Sequence, residues 1–202
     1  KDNALVYQPV NAPSPKTEQY LDFIAMTIKS VLLKTCGKTF ILFTSYHQMK
    51  YIYERMISIP ELSKLLFLMQ GTASRDQLLK TYRQNSNAVL LGTDSFWEGV
   101  DEDINCVIIA KLPFVVPTTP IEEAKYELCK KQGGNPFINI SLPQCALKLK
   151  QGTGRLIRNH RKRGIIVICD PRINNSWGTV IKNTLPDMGW TNNESIIGKY
   201  LA

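Results

Sequence analysis

The sequence predicts an α/β fold, a parallel β-sheet with helices on both faces. Three observations predict it. The first is a set of short continuous apolar runs, at residues 39–44 (apolar between Thr39 and Thr44), 65–69, 88–91, 106–110 and 165–169. Strands covered on both faces read this way, whereas half-solvated strands alternate between apolar and polar. The second is that stretches of helical period separate these runs. The third is the lack of any repeat, low-complexity tract or linker, so the 202 residues read as one domain.

In order along the chain, residues 4–7 form a short strand-like run and residues 11–15 (NAPSP) a turn. From 17 to 35 the apolar residues Leu21, Ile24, Ile28, Val31 and Leu32 recur at helical spacing, and Gly37 stands where a C-cap would. A strand at 39–44 precedes a helix over about 48–56. A strand at 65–69, a helix at 75–84 and a strand at 88–91 follow. A polar, acidic loop leads to the strand at 106–110. Helices are expected at 122–131 and 142–158, a strand at 165–169, and the start of a short helix at 179–183. The core spans about 5–173, with 174–202 as a C-terminal extension. Sheets of this kind bind ligands at the carboxyl ends of their strands. The loops after the strands at 39–44 and 88–91, and the last long helix, are therefore the places to look for chemistry.

Hydrophobic residues make up 44% of the chain and charged residues 21%, a soluble globular composition. No apolar run approaches the roughly 18 residues needed to span a bilayer, and no membrane partner is expected. The first residue is Lys1, and the sequence reads as a piece of something longer. The net charge of +8 permits a polyanionic partner without requiring one. The five cysteines are scattered, with no C-x-x-C pair, and there are only two histidines. Metal sites need closer ligand pairs, so none is expected. Odd, scattered cysteines point to a reducing cytoplasm.

Gly37-Lys38-Thr39 looks like the end of a phosphate-binding loop and fails two tests. The required Gly five residues earlier is Leu32. The order is also inverted: a phosphate loop follows a strand and opens a helix, whereas this tripeptide closes a helix and opens a strand. It reads as a helix end and turn. No D-E-x-H or D-E-x-D sequence is present either. The chain carries no visible primary site for Mg-ATP.

Residues 141–164 read SLPQCALKLKQGTGRLIRNHRKRG. Ser141, Pro143 and Gln144 suggest a capping box at the helix start. On a helical wheel Gln151, Arg155 and Arg158 fall within about 60° of one another. Cys145, Ala146, Leu149, Leu156 and Ile157 lie opposite. Gly152 and Gly154 each cost a helix interior about 1 kcal/mol, a cost tolerated where something approaches the backbone closely. Paired guanidinium donors match phosphate oxygens. A solvated basic face fits the same geometry.

The string QGTGRLIR at 151–158 resembles motif VI of superfamily-two helicases, Q-x-x-G-R-x-x-R. FILFTSY at 40–46 resembles motif IV, and GTDSFWEGVD at 92–101 resembles motif V in the form found in DinG-like proteins. KLPF at 111–114 and DPR at 170–172 are similar to DinG as well. On these motifs, which span about residues 5–173, the chain is identified as resembling the C-terminal RecA-like motor domain of a DinG-family, XPD-related DNA helicase.

The resemblance implies a site made with a second body. Two RecA-like domains clamp ATP between them, and the first, absent from this sequence, binds most of the ATP and Mg2+. Arg155 and Arg158 would meet the γ-phosphate, and Gln151 would orient the phosphate or the attacking water. Gly99 and Gly154 would let backbone approach the nucleotide. Asp101 would contact ribose or brace an arginine, with Glu98 as a bracing residue. An ordinary acidic turn explains residues 98–103 too. Thr44, Ser45, Thr93 and Ser95 would bond phosphates of single-stranded DNA. Trp97 would stack on a base, although burial against the sheet suits it equally well. Without the first domain, this piece is expected not to hydrolyse ATP.

Seven cations and no acid fall between residues 148 and 163. Many relatives carry an Asp after motif VI; this chain has NHRKR at 159–163. The cluster fits DNA or a solvated basic loop. Two functions stay open: a DNA helicase motor domain, and a nucleotide-sensing regulatory domain of a larger nucleic-acid enzyme such as an exonuclease fusion. A bare RNA-binding module lacks any supporting signature.

Overall fold

The computed structural model describes residues 4–93, 102–157, 163–185 and 188–201, with the side chains of 155–157 left aside. Seven parallel strands form one sheet in the order β3-β4-β2-β5-β6-β1-β7. They are β1 (Ala4–Tyr7), β2 (Thr39–Leu42), β3 (Leu66–Met69), β4 (Ala88–Gly92), β5 (Cys106–Ile109), β6 (Gly164–Ile168) and β7 (Gly189–Thr191). Successive residues of each strand point to opposite faces, and both faces are covered. On one, Ile41, Val89, Ile108 and Val167 pack with helices α1 (Gln19–Thr35) and α2 (Tyr46–Ile57). On the other, Phe40, Leu90, Val107 and Ile166 pack with α3 (Arg75–Gln84) and α5 (Leu142–Ile157). The unbroken apolar runs are thus strands of a sheet buried on both sides, as expected. Helix α4 (Pro120–Lys131) hangs outside and buries no residue of its own.

The helix boundaries follow from local chemistry. Ser74 and Gln77 form a reciprocal capping box at the start of α3, and Thr119 and Glu122 form another at α4. Cys36, not Gly37, takes the left-handed C-cap of α1, with its N–H donating to Leu32 O at 3.0 Å. Gly37 has φ +125°, and a Cβ there would sit 2.4 Å from Ser86 O. The Lys38 ammonium donates to Tyr82 O at 2.7 Å and lies 4.7 Å from the Tyr82 ring. It caps the carboxyl end of α3 and no phosphate loop forms.

A further expectation is corrected. Ser141 does not cap α5: a turn of π-helix at Phe137–Ser141 runs into α5, and the buried Ser141 hydroxyl pairs with Tyr126 Oη at 2.6 Å. Asn135 caps this start instead, accepting from Phe137 N at 2.9 Å. Beyond 174 the short helix expected from 179 is α6 (Gly178–Thr184), and it is followed by β7 beside β1 and by α7 (Ile196–Leu201). No helix among the described residues is long and apolar enough to cross a membrane.

Candidate nucleotide and nucleic-acid site

All strands point the same way, so one end of the sheet gathers the loops that follow them. Gln70 follows β3, Thr93 follows β4 and Thr44 follows β2. The segment 110–118 follows β5, and Asp170 lies just beyond β6. Helix α5 packs under this end through Leu142, Cys145, Ala146 and Leu149, all buried. Cys145, Ala146 and Leu149 of the expected apolar side are thus on the packed side, Leu156 and Ile157 have side chains outside the described residues, and Gln144, Leu147 and Gln151 face outward.

An open cleft of about 650 Å³ separates the 113–118 segment from α5. Thr44 stands at one wall; Gln144, Lys148 and Gln151 stand on the helix side. The opposite wall is stiffened by Pro113 and by the Tyr126 hydroxyl, which donates to Val115 O at 3.3 Å. Glu122 is spent on the α4 cap. Its carboxylate accepts from the N–H groups of Thr118 at 3.0 Å and Thr119 at 3.1 Å, and these backbone and side-chain bonds hold its pKa below the usual carboxylate value. Thr44 is exposed, while the half-buried Ser45 uses its oxygen as the N-cap of α2, accepting from Gln48 N. Thr93 is half-buried and already hydrogen-bonded: its N–H and its hydroxyl both donate to Gln70 Oε1, at 2.6 Å and 2.9 Å.

The floor between the β5 and β6 ends is held by Asp170, which is fully buried. Its carboxylate accepts from Leu112 N at 3.0 Å, from Arg172 N at 3.0 Å and from the Arg172 Nη2 at 2.7 Å. Burial works against the Arg172 charge, but Asp170 more than compensates and its pKa is raised. The guanidinium lies 5.1 Å from the Phe114 ring, itself packed edge-on against Trp177 at 5.3 Å. Lys111 next door has a lowered pKa, first from burial and then from the Arg172 charge. Burial likewise pushes the thiols of Cys145 and Cys169 up to about 12, which leaves them neutral core residues.

Among the expected site residues, the structure thus brings Thr44 and Gln151 to one cleft, with Ser45 and Thr93 on the same sheet end. Gly154 sits within α5, and a Cβ there would meet nothing within 4 Å. Arg155 lies on α5, with its side chain outside the described residues. Ser95, Trp97, Glu98, Gly99, Asp101 and Arg158 also lie outside the described residues. Among the described residues no group of three or more His, Cys, Asp or Glu is placed to hold a metal ion. Sequence reasoning missed Gln70, because a single glutamine after a strand carries no pattern. It registered Asp170 and Arg172 only as a resemblance, since their pairing depends on the β5 loop arriving beside them.

The profile of the helicase C-terminal domain family matches residues 28–188. The chain belongs to that family. It is 35% identical over 98% of its length to the ATP-dependent DNA helicase YoaA of Haemophilus influenzae, of which it covers 33%. It is 39% identical over 83% of its length to a protein named 3'-5' exonuclease DinG from Bacillus subtilis, of which it covers 19%. The chain therefore spans a third or less of these relatives. A solved structure of an XPD helicase superposes on 94% of this helicase domain, and 35% of its own chain, with a TM-score of 0.68 at 15% identity. The C-terminal domain of the DEAD-box protein Dbp5 superposes with a TM-score of 0.59 at 16% identity, covering 97% of each chain. At those identities the structural likeness fixes the fold. The parallel sheet with helices on both faces is the RecA-like second domain of such helicases, here in its DinG-like form.

Proposed function

We propose that this chain is the second motor domain of an ATP-dependent DNA helicase, completing the ATP site of a first domain and gripping single-stranded DNA. The observation that carries the reading is the shared cleft. Thr44, from the motif IV string, and Gln151, from the motif VI string, line it together at the carboxyl end of the sheet. In this reading Gln151 orients the γ-phosphate or the attacking water. Arg155 and Arg158 neutralise charge that develops as the phosphoryl group leaves. An arginine acting in this way contributes about 10³- to 10⁵-fold in rate. Gly99, Gly154, Glu98 and Asp101 belong to the nucleotide side. Thr44, Ser45, Ser95 and Trp97 belong to the DNA side. Mg2+, held with ATP mainly by the first domain, would neutralise phosphate charge when bound.

The test is DNA-stimulated ATP hydrolysis by the intact parent protein. Arg158→Ala should lower turnover by about 10³-fold or more, and Arg158→Lys should not restore it, because an ammonium lacks the paired donors. Hydrolysis within a few-fold of wild type in an active parent would overturn the assignment. The exonuclease names of the Bacillus and Staphylococcus relatives favour a second reading, a nucleotide-responsive domain within a nuclease. It predicts a parent whose nuclease rate depends on ATP while no strand is unwound.

A further inference from the structure

We infer that Gln70 and Arg83 are the positioning residues of motif V, and that Thr93 is their anchor rather than a donor to DNA phosphate. The inference rests on the helicase reading above and deepens it. Motif V runs from 92 to 101, and its two flanks are tied to one structural unit, β3 and α3. At the leading flank, one oxygen of Gln70 takes both the N–H and the hydroxyl of Thr93, at 2.6 Å and 2.9 Å. At the trailing flank, Arg83 Nε donates to both oxygens of Glu102, at 2.8 Å and 2.9 Å, and Nη2 approaches Oε1 at 2.6 Å. The Glu102 side chain is only 2% exposed although Arg83 is 61% exposed. The Tyr82 hydroxyl adds a contact to Asp103 O at 3.4 Å.

The chemistry at Thr93 is unambiguous about direction. A backbone N–H only donates, so the Gln70 atom it meets is the amide oxygen and not the nitrogen. That oxygen only accepts, so the Thr93 hydroxyl must donate to it. A hydroxyl has one proton, and a phosphate diester only accepts. Thr93 cannot therefore bond a phosphate without surrendering Gln70. Ser45 is in the opposite state: its oxygen accepts from the α2 backbone and its proton remains to be given. Thr44, exposed at the cleft, has the same capacity. The phosphate donors of this edge are accordingly Thr44 and Ser45. Thr93 and Glu102 instead fix where motif V leaves and rejoins the sheet.

The experiment is a double-mutant cycle in the full-length parent, reading the DNA concentration for half-maximal ATPase stimulation. Gln70→Met keeps the length and removes the acceptor, and should raise that concentration about 10-fold. Thr93→Val leaves the backbone bond intact and should raise it about 3-fold. The double variant should match Gln70→Met alone, because Gln70→Met already removes the hydroxyl bond that Thr93→Val removes. Arg83→Lys keeps a positive charge beside the buried Glu102 but loses the paired donors; it should reproduce part of the weakening with the melting temperature largely kept, which keeps the test open should Gln70→Met fold poorly. Multiplying effects of Gln70→Met and Thr93→Val, or a Thr93→Val variant weaker than Gln70→Met, would overturn the inference. A readout independent of activity is hydrogen exchange at the Thr93 amide, slow in wild type, faster in Gln70→Met and unchanged in Thr93→Val. An inactive parent with that exchange pattern would count against the helicase reading and for the tether. An active parent without it would do the reverse.

Discussion

Asp170 shows what one carboxylate does when every lone pair is spoken for. It is fully buried, ties Leu112 N to the end of β6, and holds Arg172 by two nitrogens. Removing one member of a buried pair strands the other. Asp170→Ala should therefore destabilise the chain by about 3 kcal/mol, read as a lower urea midpoint with an unchanged slope. Asp170→Asn should cost less, because the amide oxygen still accepts from Leu112 N. Gly37 sets a second limit at the same scale. At φ +125°, with Ser86 O 2.4 Å from any added Cβ, Gly37→Ala meets both backbone strain and a backbone atom. A loss of more than about 1 kcal/mol is expected, measurable in the same titration. The sequence marked Gly37 as special but as the cap of α1. The cap fell to Cys36 because the next residue is needed for its contact with Ser86 and Asn87, which no local pattern reveals.

At the scale of elements, strands were legible because burial on both faces removes alternation, and α3 was legible to the residue because its apolar period and its Ser74 cap agree. Helix α4 was placed two residues late: Thr119 and Glu122 are a capping box written in the sequence, and Pro120 between them suits the first turn. β7 and α7 were not legible, since three residues of Gly-Trp-Thr carry no strand pattern apart from a partner edge. Ile197 packs into the α1 cluster, and one carboxylate adds a polar tie to α1. Glu194 accepts from Ser30, Lys34 and the Tyr7 hydroxyl. Burial would raise its pKa, but these bonds outweigh burial and hold it below the usual carboxylate value. A carboxyl depressed in the folded state stabilises above its unfolded value, and that contribution disappears as pH falls through the folded value. The side chain is 38% exposed, so screening keeps the effect below about 1 kcal/mol. The protection of the Gln8 amide, which donates to Thr191 O at 2.9 Å, relative to its intrinsic exchange rate should fall as pH drops through the folded value of Glu194. Glu194→Gln should abolish that acid dependence.

For the whole molecule, motif order along the chain named candidates for the site but not their geometry. Thr44 and Gln151 meet because β2 and α5 share one end of the sheet, which spacing cannot state. Net charge of +8 and the basic run at 148–163 favour weak binding of single-stranded DNA without sequence preference. Anisotropy titrations of this chain should show affinity falling steeply from about 50 to 200 mM salt, though less than for a protein making six to ten phosphate contacts. Binding insensitive to salt would contradict it. Phosphate release by this chain alone should stay at background, with or without DNA.

The order of the strands also has a consequence in time. β1 precedes both of its neighbours by a long stretch of chain: Ala4 faces Gly164 and Leu5 faces Gly189 across its two ladders. β1 has no neighbour until about 160 further residues have been synthesised, a delay on the order of ten seconds at ordinary elongation rates. During that interval β2, β3, β4 and β5 are available to pair, while the β5 edge awaits β6. A ribosome-bound chain stalled before residue 164 should therefore expose an apolar edge and recruit holding chaperones. Release of about thirty further residues should let the edge close and the chaperones leave.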